Sequence, residues 1–84
     1  GLISEAMPAG MLHDRAVELA GIIASRAPIA AETAKANIHA AMSMPLSEAI
    51  AYERDLQTIC MATDDASEGR KAFAEKRAPN FKGT

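Results

Sequence analysis

The residues best suited to chemistry lie near the end of the chain, in Arg70-Lys71-Ala72-Phe73-Ala74-Glu75-Lys76-Arg77. On a helix, Phe73 stands three residues from Lys76 and four from Arg77, which puts an aromatic ring and cations on one side. That combination suits a flat heteroaromatic ring beside phosphates: the ring packs on phenylalanine and the ammonium meets the phosphate. The same residues also read as a core anchor, Phe73, with solvated lysines around it, and spacing alone leaves both readings open. Residues 1–69 hold 10 acids and 4 bases, net −6, whereas residues 70–84 hold 5 bases and 1 acid, net +4. Such asymmetry points to a ligand or partner at the basic end, or to cations complementing the dipole of a helix C-terminus.

Elsewhere the residue types argue against a self-contained catalytic site. Ser4, Ser25, Ser43, Ser47 and Ser67 fall in helical or helix-end contexts without a GxSxG turn, so no nucleophile–base pair can be built from spacing. Asp64 with Asp65 reads as helix caps, and Glu53 with Asp55 as a solvated helix face. The glycines are isolated and form no phosphate loop. The lone Cys60 allows neither an internal disulfide nor a CxxC zinc site; it suits a reducing compartment and reads as a small core residue, since no His or Lys flanks it. His13 and His39 lack a helically spaced partner histidine, so no metal site is expected. An acidic chain with only Phe73 and Phe81 among its basic residues is not expected to bind nucleic acid. No apolar run approaches the roughly 18 residues of a membrane span, and residues 1–11 hold no basic n-region, so neither a membrane anchor nor a secretory leader is expected.

The elements that must position these residues are helices. Periodicity predicts four, at about 9–26, 28–43, 46–62 and 65–77, followed by an extended tail over 78–84, all in one domain. Leu12, Ala16, Leu19 and Ile23 form one apolar stripe on the first helix; Ala30, Ala34, Ile38 and Ala41 form one on the second. Leu46, Ala49, Ile50, Leu56, Ile59 and Cys60 are the expected buried set of the third, and Ala66, Gly69 and Phe73 share a face of the fourth. Pro28 and Pro45 each suit the first turn of a helix. Thr63-Asp64-Asp65 supplies N-cap residues before the fourth helix, and Asp65 to Glu68 has capping-box spacing. Of the 41 apolar residues, 19 are alanine and only 13 are Leu, Ile or Val. Alanine is the best helix former and the weakest core filler, so the chain should be all-α yet short of core volume, and is expected to pack on more protein.

Several segments resemble the enoyl-CoA hydratase/isomerase (crotonase) family. Gly1-Leu2-Ile3, Pro8 and the run Ala16, Leu19-Ala20, Ile23-Ala24 resemble "GLV…P…A..LA..IA"; Ala34-Lys35 with Ala40-Ala41 resembles "AK…A"; Leu46, Glu48-Ala49 and Glu53 resemble "L.EGL…E". The most specific match runs from Ala62 to Gly83, where Thr63-Asp64-Asp65, Glu68-Gly69, Ala72-Phe73, Glu75-Lys76-Arg77, Pro79, Phe81 and Gly83 follow "TDD..EG..AF.EKR.P.F.G". The resemblance covers essentially all 84 residues. Ala49 stands where glycine is frequent, and Gln57 and Met61 where aromatics are common, which puts the subfamily in doubt rather than the family.

The resemblance implies that this chain is the C-terminal helical, trimerising part of a crotonase fold without its β/α spiral core. In that family the core carries the oxyanion hole and the catalytic acids, so those segments are expected upstream of Gly1, and Glu5 and Glu32 are not their counterparts. No residue of this chain is therefore expected to be catalytic. Phe73 and Lys76 match positions that in several members touch the adenine and phosphate end of coenzyme A, often from a neighbouring subunit. The expected function is oligomerisation and CoA-end binding within an enzyme that adds water to 2-enoyl-CoA thioesters, as in fatty-acid β-oxidation; the 84-residue chain alone is expected to be inactive. The expected partners are copies of itself, as trimer or hexamer, the crotonase core, and acyl-CoA as substrate, with no separate cofactor. The expected location is cytoplasmic, or the mitochondrial matrix in a eukaryote. The alternatives are another crotonase-superfamily enzyme, such as an enoyl-CoA isomerase, and a stand-alone helical interaction module with no catalytic link.

Overall fold

Pro28 and Pro45 set two of the three breaks between helices, and Thr63 sets the third. In the computed structural model, which describes residues 1–84, α1 spans Leu12–Ala24 behind a 3-10 turn at Ala9–Met11, α2 spans Pro28–Ala41, α3 spans Leu46–Met61 and α4 spans Asp64–Ala74. The chain is all-α, without a strand, and no helix is long and apolar enough to cross a membrane. Ala27 is extended (φ −58°, ψ 118°), as the residue before a proline prefers, and Pro28 then occupies the first turn of α2. Pro45 sits one place earlier than expected: it is itself the extended N-cap residue (φ −56°, ψ 146°), and its carbonyl accepts from both Glu48 N–H and Ala49 N–H at 3.0 Å.

The helices lie in a single layer. Cα extents are 42 × 40 × 18 Å, and the radius of gyration is 16.1 Å, where a compact chain of this length would have about 12 Å. The principal helix–helix contact is α2 on α3; α4 leans on α3, and α1 packs on little besides its own 3-10 turn. Only Ala72 and Asp65 are fully buried.

Because so little is buried, the expected apolar stripes fare differently from one helix to the next. Leu12, Leu19 and Ile23 of α1 are exposed, as are Leu46, Ile50 and Ile59 of α3. The half-buried line on α3 is Ala49, Tyr52, Leu56 and Cys60. On α2 the half-buried line is Ile29, Thr33, Asn37 and Ala40, one step round from the alanine stripe, whose Ile38 is left exposed. Thr33 explains that offset: its hydroxyl bonds back to Ile29 O (2.9 Å) and lies 3.0 Å from Cys60 Sγ, so a small polar contact, not an alanine seam, sits between α2 and α3.

Candidate functional site

The site is built on α4 and the tail that folds back over it. Thr63 is the N-cap residue: its hydroxyl accepts from Ala66 N–H at 3.0 Å and donates to Cys60 O at 2.7 Å, tying the end of α3 to the start of α4. With Thr63 in that role, Asp65 is not a cap. Its carboxylate turns to the tail and accepts the consecutive N–H groups of Lys82 (2.7 Å) and Gly83 (2.8 Å), while its own N–H donates to Thr84 O at 3.0 Å. Asp65 is thus a buried clamp, and the expected capping-box partner Glu68 is likewise committed elsewhere.

Glu68 receives three donors. Arg77 forks onto it through Nη1 (2.5 Å) and Nη2 (2.9 Å), and Asn80 N–H adds a third bond at 2.8 Å. Those donors, Arg77 first, lower its pKa from the ordinary 4.5 to about 2. Arg77 also gives Nε to Glu75 at 2.6 Å and Nη1 to Ala78 O at 3.1 Å, and its pKa is raised by Glu68 and Glu75. The tail is further held where the Phe81 ring lies on α4, its Cε1 3.6 Å from where a Cβ on Gly69 would stand. At Gly83 the backbone has φ +75°, and a Cβ there would meet Pro28 Cγ at 3.4 Å, so the tail reaches the first turn of α2.

The helix ends three residues sooner than the spacing of the basic cluster implies. Lys76 N–H donates to Phe73 O (3.2 Å) and Arg77 N–H to Ala72 O (3.0 Å), the paired bonds of a Schellman turn, with Lys76 in the left-handed region at φ 53°. Phe73 and Arg77 therefore do not share a helical face. Arg77 folds back to Glu68, while Phe73 projects outward, 88 % exposed. Phe73 is accordingly no core anchor; Ala72, 1 % exposed, is the residue α4 buries. Lys76 makes no ion pair with a carboxylate, in contrast to Arg77. The structure thus presents Phe73 and Lys76 on either side of the helix terminus, joined through the backbone bond of the turn. A left-handed lysine costs about 1–2 kcal/mol relative to helical geometry, so the surrounding bonds must hold it there.

Helical spacing gave Asp65, Glu68 and Arg77 other roles, a capping pair and a cation beside Phe73, and missed the Glu68–Arg77 fork and the bonds of Asp65 with the tail. Their signal was the closing pattern itself, in which these residues recur at fixed distances from Pro79, Phe81 and Gly83, but the pairs cross a helix end and no i,i+4 rule links them.

A second feature is an open groove of about 290 Å³ between α2 and α3, lined by Thr33, Ala34, Asn37, Glu53, Leu56 and Cys60 among others. Asn37 Oδ1 is buried there without a hydrogen-bond partner.

A single layer of helices, closed at one end by a carboxylate-clamped tail that carries an outward phenylalanine and a left-handed lysine, defines the class: an open, all-α layer rather than a self-contained bundle. The chain matches the enoyl-CoA hydratase/isomerase family over residues 1–84 and belongs to it. It is 37 % identical over 83 residues to the 2,3-dehydroadipyl-CoA hydratase of Escherichia coli K12, covering 99 % of this chain and 32 % of that protein. It is 42 % identical over 82 residues to the mitochondrial enoyl-CoA hydratase of Pongo abelii, covering 98 % of this chain and 28 % of that one. The crystal structure of an enoyl-CoA hydratase/isomerase from Mycobacterium paratuberculosis superposes with a TM-score of 0.94 at 38 % identity, over 100 % of this chain and 33 % of that one. The chain therefore spans about a third of the length of the relatives it matches.

Proposed function

We propose that this chain is the assembly and CoA-end-binding segment of an enoyl-CoA hydratase. The observation that carries the reading is the open layer: 15 large apolar side chains, from Leu2 to Phe73, remain exposed while only two residues are fully buried. So many exposed apolar side chains on a layer that buries only two residues call for protein on its faces. The similarity of the chain to hydratases supports the catalytic core and further copies of the same subunit as that protein. Hydration adds water across the α,β double bond of the thioester, and donors in the core stabilise the enolate that forms. This segment supplies no acid or base to that step. Its role is to hold subunits together and to grip the nucleotide end, with the Phe73 ring against adenine and the Lys76 ammonium toward phosphate. Hydratase is favoured over isomerase because the two curated relatives named above are hydratases.

The test has two arms. Sedimentation of the purified chain should show self-association; a rigid, cooperatively folded monomer would refute the assembly role. In the full-length protein, Phe73→Ala with Lys76→Ala should raise KM for a CoA thioester with little change in kcat. An unchanged KM in an intact oligomer would refute the grip.

A further inference from the structure

Lys76 is one half of the proposed grip, and it is also the only non-glycine residue with a positive φ, at 53°. The left-handed position after a helix is usually glycine, because a side chain there crowds the following carbonyl. Lysine continues a helix readily. Something must therefore select the turn at residue 76 over one more step of helix.

The selecting contacts converge on Glu68. It stands on α4 itself, eight positions before Lys76, so its carboxylate is anchored to the rigid part of the element. Arg77 forks both terminal nitrogens onto it at 2.5 and 2.9 Å, and Asn80 N–H donates to it at 2.8 Å. The same guanidinium bonds Glu75 at 2.6 Å. Lys76 is thus enclosed between two residues that are themselves tied, Glu75 and Arg77. Continuing the helix through Lys76 would carry Arg77 about 100° further round the axis for each added residue and take it away from Glu68. Breaking the fork frees Arg77 from α4, and Lys76 itself makes no ion pair to hold the turn; Pro79 and the tail held by Asp65 then limit any extension to the next residue or two.

We infer that Glu68, acting through Arg77 and the Asn80 backbone, is a positioning residue for the CoA-end grip: it fixes the turn that decides where the Phe73 ring and the Lys76 ammonium stand. The inference rests on the reading of Phe73 and Lys76 given above. Glu68 does not touch the ligand. It acts by keeping the binding-competent turn populated, so its loss should raise the apparent Kd by the inverse of the fraction of chains that keep the turn.

The test is run on the full-length protein with two substrates, crotonyl-CoA and the crotonyl thioester of pantetheine, which lacks the nucleotide end. Glu68→Gln keeps the shape of the side chain but points an amide N–H₂ at the guanidinium. It should raise KM for crotonyl-CoA about five- to tenfold while kcat stays within about twofold. KM for the pantetheine thioester should not move. Arg77→Lys, a milder change that keeps the charge but loses the fork, should act in the same direction and less strongly. If both variants leave KM for crotonyl-CoA unchanged while Phe73→Ala with Lys76→Ala raises it, the positioning role is overturned and the grip stands. If the Phe73 and Lys76 substitutions also leave it unchanged, the grip itself fails and the inference falls with it. A loss of kcat on both substrates with Glu68→Gln, with Arg77→Lys silent, would make Glu68 a purely structural residue and overturn the proposal.

Discussion

Replacing Asp65 with asparagine should release the tail without unfolding the helices. Asp65 is 3 % exposed, and its two carboxylate oxygens accept Lys82 N–H at 2.7 Å and Gly83 N–H at 2.8 Å. Asparagine has the same shape but one acceptor oxygen, so one tail N–H would face an amide N–H₂. Two charge-assisted bonds of about 2 kcal/mol each give way to one neutral bond of about 1 kcal/mol, a loss of about 2–3 kcal/mol. Amide hydrogen exchange in the full-length protein reads this directly, since protection falls tenfold for every 1.4 kcal/mol of local opening. Lys82 and Gly83 amides should lose about 30- to 150-fold in protection, and amides in the middle of α3, such as Leu56, should lose none. Asp64→Asn is the control: Asp64 is exposed and bonds no tail amide, so it should leave Lys82 and Gly83 unchanged. Unchanged protection at both tail amides in Asp65→Asn, or an equal loss throughout α3, would refute the clamp.

Two glycines should respond in opposite directions to alanine. Gly83→Ala meets a positive φ of 75° and Pro28 Cγ at 3.4 Å, and should lower stability by about 1–2 kcal/mol in denaturant titration. Gly69→Ala lies inside α4, where the new Cβ makes ordinary contact with Phe81 at 3.6 Å, and should raise stability by about 1 kcal/mol. Glu68 should titrate near 2 rather than 4.5 by carboxyl NMR. Its pKa is lower in the folded state, so the stabilisation from its bonds is complete above about 4.5 and disappears as pH falls through about 2; a midpoint near 4.5 would refute the Glu68–Arg77 pairing. The purified 84-residue chain should hydrate no crotonyl-CoA, and measurable turnover would place catalytic groups within it.

Helix existence was legible in the sequence because the breaks have strong local causes. Pro28 restricts Ala27, Pro45 begins an extended cap, and Thr63 satisfies an N-terminal amide, each within a few residues of the position it controls. Which face each helix buries was less legible, and the reason is composition. With 19 alanines, the apolar stripe of α2 differs little in volume from its neighbours, so one polar contact, Thr33 to Cys60, is enough to rotate the packed line away from it. On α1 the stripe is clear in the sequence, but no helix of this chain covers it. Periodicity records that a face is meant to be buried and not what buries it.

The candidate site shows the same division more sharply. Phe73 and Lys76 stood out because their types suit a ring and a phosphate; the structure leaves Phe73 exposed and Lys76 without a carboxylate partner. The residues that shape this surface were hidden, because helical spacing extends the helix through Arg77 and so assigns Arg77 to the wrong side. The helix ends ahead of Pro79, a local stop, but the left-handed turn at Lys76, where lysine favours continuation, is tied by an ion pair spanning nine positions, from Glu68 to Arg77, with Asn80 joining from further along. A turn tied by a long-range pair is sensitive to that pair in a way a glycine turn is not. On the grip proposed above, Glu68 acts without facing the ligand, and a substitution at Glu68 should be felt at Lys76 before it is felt anywhere else in the helix.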